Sequence, residues 1–242
     1  MAAVLLCGHR LALHWQTTAV DSPAELGSPP PAEILRVLTL DNRVLASRLA
    51  MVYLQSFELR PGGNWHIADL DYGRVVEWLE LAQRLDPRSR YPTLVAASVY
   101  APVGTLEQAR VMMEFVESIF LRDPSNRWDA LARVALLARY RFGNLPIALE
   151  YATSLAEHTA PGMAPPWARQ LPLFLLRDMG EQQAALALLE ALILEGALSD
   201  PAEIRFLLER IGVPDTSEAF SRPEGYEPEV LKDARAVPIK PQ

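Results

Sequence analysis

Gly104-Thr-Leu-Glu-Gln-Ala109, Gly143-Asn-Leu-Pro-Ile-Ala148 and Gly180-Glu-Gln-Gln-Ala-Ala185 are three short stretches with one pattern: a glycine, then an alanine five residues on. A proline recurs in phase with them. Asp86-Pro87, Asp123-Pro124, Ala160-Pro161 and Asp200-Pro201 put prolines at positions 87, 124, 161 and 201, a spacing of 37 to 40 residues. Periods of this length identify stacked supersecondary units rather than one irregular domain. The physical content of each landmark is specific. Glycine can end a helix in the left-handed conformation, alanine lets the next helix approach its partner closely, and proline cannot continue a helix interior. Each unit is therefore predicted to be a helix, a tight turn at the glycine, and a second helix stopped before the proline.

The residues around the landmarks have helical periodicity. Met112, Val116 and Ile119 fall on one face of the helix after Gly104, Ala152 and Leu155 on one face after Gly143, and Leu188, Leu189 and Leu192 after Gly180. Upstream, Val75, Leu79, Ala82 and Leu85 form a stripe on a helix capped by Asp69 or Asp71 and stopped at Asp86-Pro87. Before it, Leu45, Leu49, Val52 and Tyr53 recur at spacings of three and four. Their helix has Asp41 and Asn42 as candidate caps, runs to about Leu59, and is ended by Pro61-Gly62-Gly63. Downstream, Ile204, Leu207, Leu208 and Ile211 define one more amphipathic helix, suited to capping an open stack.

From Tyr72 to Pro201 these residues resemble the tetratricopeptide repeat, in which a small residue precedes the second helix, an alanine lies near its start and a proline follows its end. Two features depart from that family: the interval is longer than the usual 34 or so residues, and the first-helix Trp, Leu and Gly pattern is not reproduced. The resemblance implies an all-α fold, a tetratricopeptide-like antiparallel helix-pair array (an α-solenoid) with a C-terminal capping helix. It also implies that first helices line the inner surface and that the protein binds a peptide or partner protein there. The family's inner positions then fall on Tyr91, Leu94 and Ser98, on Arg133, Leu137 and Tyr140, and on Trp167, Gln170, Phe174 and Arg177. Of these, Tyr91, Arg133, Tyr140, Trp167, Gln170 and Arg177 are the candidate partner-binding residues, because aromatics supply contact area at low entropic cost and arginine can grip a carboxylate with two bonds. Leu94, Leu137 and Phe174 suit inter-helix packing equally well, and Trp128 suits core or an inter-repeat wedge.

Composition narrows the function classes. The chain has 242 residues, half of them apolar, ample for a continuous core. A formal charge of −7 with no basic run argues against nucleic acid, whose binding draws affinity from clustered Lys and Arg. One cysteine, Cys7, excludes an internal disulfide framework and a multi-thiolate zinc site. His66, Asp69 and Asp71 share a loop but lack a fourth ligand, and Cys7, His9 and His14 have no second cluster, so no metal is expected. Gly62-Gly63 lacks the Lys-Ser or Lys-Thr of a phosphate loop, the four histidines lie in no catalytic signature, and Glu77 and Glu80 belong on a solvated helix face. The expectation is a non-enzymatic protein without cofactor.

Four segments follow. Residues 1–16 are apolar but interrupted by His9, Arg10, His14 and Gln16, and read as a frayed amphipathic helix or a degenerate membrane anchor. Residues 17–32 form a linker rich in Pro and Ser, 33–211 the helical repeat domain, and 212–242 a loose or disordered tail. Localisation is accordingly cytoplasmic or membrane-tethered. The alternative to a scaffold is a structural subunit of a larger, possibly membrane-associated assembly, for which an extended exposed apolar patch would speak. An enzyme would instead show a deep pocket holding shifted acid and base groups.

Overall fold

A computed structural model describes residues 26–58 and 67–212. Residues 1–25, with Cys7, His9 and His14, the stretch 59–66 with Pro61-Gly62-Gly63 and His66, and the tail from 213 onward lie outside the described residues. The described chain is all-helical, without a strand. It divides into two compact units, Met1–Ser89 and Arg90–Gln242.

The first unit contains α1 (Ala32–Leu38), α2 (Arg43–Ser56) and α3 (Tyr72–Leu85). Of the candidate caps, the structure uses Asn42, whose side chain accepts from the Leu45 N–H, and Asp71, which accepts from the Gly73 and Arg74 N–H groups. Asp71 thus takes a capping role, and Asp69 sits in a short 3-10 turn before it. The stripe Val75, Leu79, Ala82 and Leu85 is buried as read. The stripe on α2 is not. Leu45, Leu49 and Val52 are exposed, and α2 packs on α3 through Ala46, Ser47, Ala50, Met51 and Leu54. Small residues on that side permit close approach, and Ser47 Oγ satisfies itself by donating to the Ala82 carbonyl at 2.8 Å. Tyr53 stacks on Trp78 at 4.5 Å between ring centroids, and the Trp78 indole N–H donates to the Gly27 carbonyl at 2.8 Å. That bond ties the end of the Pro-rich segment to α3, and Leu26 beside it is buried.

The second unit is a succession of helix pairs. Its first helix, α4 (residues 91–103), contains a π-helical turn at Ala96–Tyr100. Pro102 explains the turn: it has no N–H for the preceding turn and its ring crowds the carbonyl four residues back, so the helix widens. Then come α5 (Leu106–Phe120), α6 (Pro124–Tyr140), α7 (Leu145–His158), the short α8 (Pro166–Arg169), α9 (Leu171–Asp178), α10 (Gln182–Leu194) and α11 (Pro201–Ile211). Packing follows chain order: α5 on α4, α6 on α4 and α5, α7 on α6, α9 on α7, α10 on α9, and α11 on both α9 and α10.

The sequence landmarks resolve into distinct jobs. Ala109, Ala148 and Ala185 are each fully buried one turn into the second helix of a pair, where a larger side chain would hold the helices apart. Gly143 (φ 62°) and Gly180 (φ 79°) adopt the left-handed conformation expected of them. Gly104 does not. Its backbone is extended (φ −75°), and the turn is made by a capping box in which Thr105 accepts from the Gln108 N–H while the Gln108 side chain accepts from the Thr105 N–H. As read, each proline follows the end of a helix: Pro87 lies in a turn after α3 and Pro161 in a loop after α7, while Pro124 and Pro201 also open the next helix at a position needing no N–H. The stripe of α11 is buried at Ile204, Leu207 and Ile211, and joins Leu173, Ala185 and Leu189 in one apolar cluster.

Candidate functional site

In the second unit, first helices are α4, α6 and α8–α9, and second helices are α5, α7 and α10. The exposed aromatics of these helices all lie on first helices, although α4 also carries Tyr100, which is fully buried. Phe115, Phe120 and Tyr151 on second helices are buried, whereas Tyr91, Tyr140 and Trp167, one on each successive first helix, are 48%, 71% and 45% exposed. Three exposed aromatics on one set of helices make that set the candidate surface.

Four of the six candidate residues are exposed: Tyr91, Arg133, Tyr140 and Trp167. Tyr140 has the Arg139 guanidinium 4.6 Å from its ring centroid, and Trp167 meets Trp128 of α6 edge to face at 6.0 Å. Trp128, half-buried, therefore wedges between successive first helices. Arg133 lies midway along α6 and forms no ion pair among the described residues. It carries an unneutralised charge on the aromatic-bearing face.

The other two are differently placed. Gln170 is buried, 8% exposed, and its amide donates to Glu203 of α11 at 2.5 Å. Arg177 is partly buried; it holds Asp178 by Nε at 3.1 Å and Nη2 at 2.7 Å, and donates from Nη1 to the Arg210 carbonyl at 3.2 Å. Both tie α8–α9 to α11. Their residue types suit recognition, but α11 offers them partners first.

The sequence reading missed a ladder between first helices. Arg90 pairs with Asp129 at 2.6 Å, Arg139 with Asp178, and Arg127 donates to Thr93 at 2.9 Å. Arg90 with Asp129, Trp128 with Trp167, and Arg139 with Asp178 are each 39 residues apart, in phase with the proline spacing. Residues of opposite charge separated by 39 positions were the available signal.

A cleft of about 220 Å³ lies beside Gln170, walled by Pro161, Ala164, Leu192 and Leu198, with Arg169 and Glu203 at its polar edge. Ligand pockets ordinarily start at about 300 Å³. Arg169 Nε is buried without a hydrogen-bond partner among the described residues. Among the described residues no three His, Cys, Asp or Glu side chains converge on a possible metal position. Burial raises the phenols of Tyr72 and Tyr151 above the ordinary range, but neither residue lines the cleft. The candidate residues that are exposed, Tyr91, Arg133, Tyr140 and Trp167, all lie on first helices. No protein-family model, curated protein or solved structure matches the chain.

Proposed function

We propose that the second unit is a divergent tetratricopeptide-like array, closed at its end by α11, that binds a peptide or partner protein on its first-helix face. The observation carrying this reading is that the exposed aromatics of the helix pairs, Tyr91, Tyr140 and Trp167, lie on first helices and none on second helices, where Phe115, Phe120 and Tyr151 are buried. Amphipathic rings offer large contact area with few torsions to freeze, and the unneutralised Arg133 between them suits a carboxylate of the partner. Gln170 and Arg177 serve in this reading as the fastening of α11, not as contacts. The activity is binding, without catalysis or cofactor.

The test is selection of peptides on the immobilised full chain, followed by titration calorimetry with the best binder. Arg133→Ala with Tyr140→Ala should weaken binding by about 2 kcal/mol or more if both contacts are desolvated, and leave the melting temperature within a few degrees, since exposed substitutions change stability by about half a kcal/mol. Unchanged affinity with a large fall in melting temperature would show both residues to be packing.

A further inference from the structure

Eight large apolar side chains are exposed on α1, the turn after it, and α2, Ile34 and Val44 among them. Val37, Leu38, Leu40, Leu45, Leu49 and Val52 are between 44% and 93% exposed. No residue of α1 is buried. Isolated exposed apolar residues are ordinary, but a contiguous run on adjoining elements marks a surface that something covers.

Three further observations say what. First, the turn is strained outward. Leu40 (φ 52°) and Asp41 (φ 60°) are the non-glycine residues of the described chain in the left-handed region, costly for a leucine. Arg36 locks the turn, Nε to Asp41 at 2.8 Å and carbonyl to the Asp41 N–H at 2.7 Å, and this pairing holds the Asp41 carboxyl below the usual aspartate range. The product is Leu40 at 93% exposure, a tip and not a groove.

Second, the charge is reversed relative to the chain. Against a formal −7 overall, α1 to α2 carries Arg36, Arg43 and Arg48 with only Glu33 and Asp41 as acids, and Asp41 is neutralised by Arg36. Arg43 and Arg48 form no ion pair among the described residues, and α2 has no acidic residue. Third, Arg48 lies one turn from Val44 and one from Val52, in the middle of the exposed side of α2. A second copy docked about a two-fold axis passing through the middle of that side would bring the two Arg48 charges together inside an apolar interface.

We infer that the α1–α2 face docks on an anionic lipid bilayer, with Leu38, Leu40 and Val52 entering the headgroup–acyl boundary and Arg43 and Arg48 on lipid phosphates. Protruding apolar side chains beside unpaired cations are the chemistry of a surface that lies on a membrane. Among the described residues no helix is long and apolar enough to cross one. The inference is independent of the first-helix face.

The test is co-sedimentation of the full chain with phosphatidylcholine vesicles containing about a third phosphatidylglycerol, and with phosphatidylcholine alone. The expected result is binding to the anionic vesicles that rising salt weakens. Leu38→Gln with Leu40→Asn should lower the partition coefficient about tenfold or more, because two buried leucines are lost. Asparagine tolerates the left-handed conformation, so this variant keeps the turn, and an unchanged melting curve checks it. Arg43→Gln with Arg48→Gln should lower binding severalfold and flatten its salt dependence. Absence of vesicle binding would overturn the inference. So would equal binding of wild type and the Leu38/Leu40 variant, which would assign any membrane contact to residues outside this face. A lipid-free dimer in analytical ultracentrifugation that the same variant dissociates would overturn it in favour of a second copy.

Discussion

Arg127, only 2% exposed, reaches from α6 to α4 and donates from Nη1 to the Thr93 hydroxyl at 2.9 Å, joining two successive first helices through a buried charge-assisted bond. Thr93→Val removes the acceptor and keeps the side-chain volume. Thr93→Val should therefore cost about 1.5–3 kcal/mol, the usual range for a bond to a charged group, read as a lower urea midpoint at unchanged slope. No change in midpoint would mean the link contributes nothing to holding α4 on α6.

Gly143 and Gly180 test the turn chemistry. A Cβ at either would meet nothing within 4 Å, so any cost of alanine is backbone strain alone. Gly143→Ala or Gly180→Ala should each destabilise by about 1 kcal/mol, and Gly143→Asn by less, because asparagine tolerates positive φ. Equal stability of the alanine and asparagine variants, by thermal melts, would contradict the left-handed turn.

How much of this was legible in the sequence depends on the kind of signal. Ala109, Ala148 and Ala185 were readable because a close approach admits only a small residue, and their burial is complete. Asn42 and Asp71 were readable as caps because their side chains act on a backbone two or three residues away. Periodicity identifies a stripe but not what faces it. Leu45, Leu49 and Val52 keep helical spacing, yet α2 is held through Ala46, Ala50 and Leu54. The same limit applies to Gln170 and Arg177, whose partners Glu203 and Arg210 sit 33 residues on, a distance that no local pattern encodes.

Tyr151 predicts the alkaline limit of stability. It is 1% exposed, and burial, aided by Glu150, Glu117 and Glu114, pushes its phenol well above the ordinary value near 10. A group whose folded pKa is raised contributes stability that is intact below its unfolded pKa and is lost as pH rises toward the folded one. Unfolding free energy should thus begin to fall above about pH 10, and Tyr151→Phe should soften that fall. A profile identical in the two proteins from about pH 9 to 12 would show that Tyr151 is not the buried phenol responsible.

The central claim, that first helices of the second unit form the binding face, is tested most directly by an amide hydrogen-exchange footprint of the full chain with and without a selected peptide. The account predicts new protection around Tyr91, in α6 near Arg133 and Tyr140, and around Trp167, with α5 and α7 unchanged. Protection confined to Leu106–Phe120 and Leu145–His158 would place the partner on the second helices and contradict it.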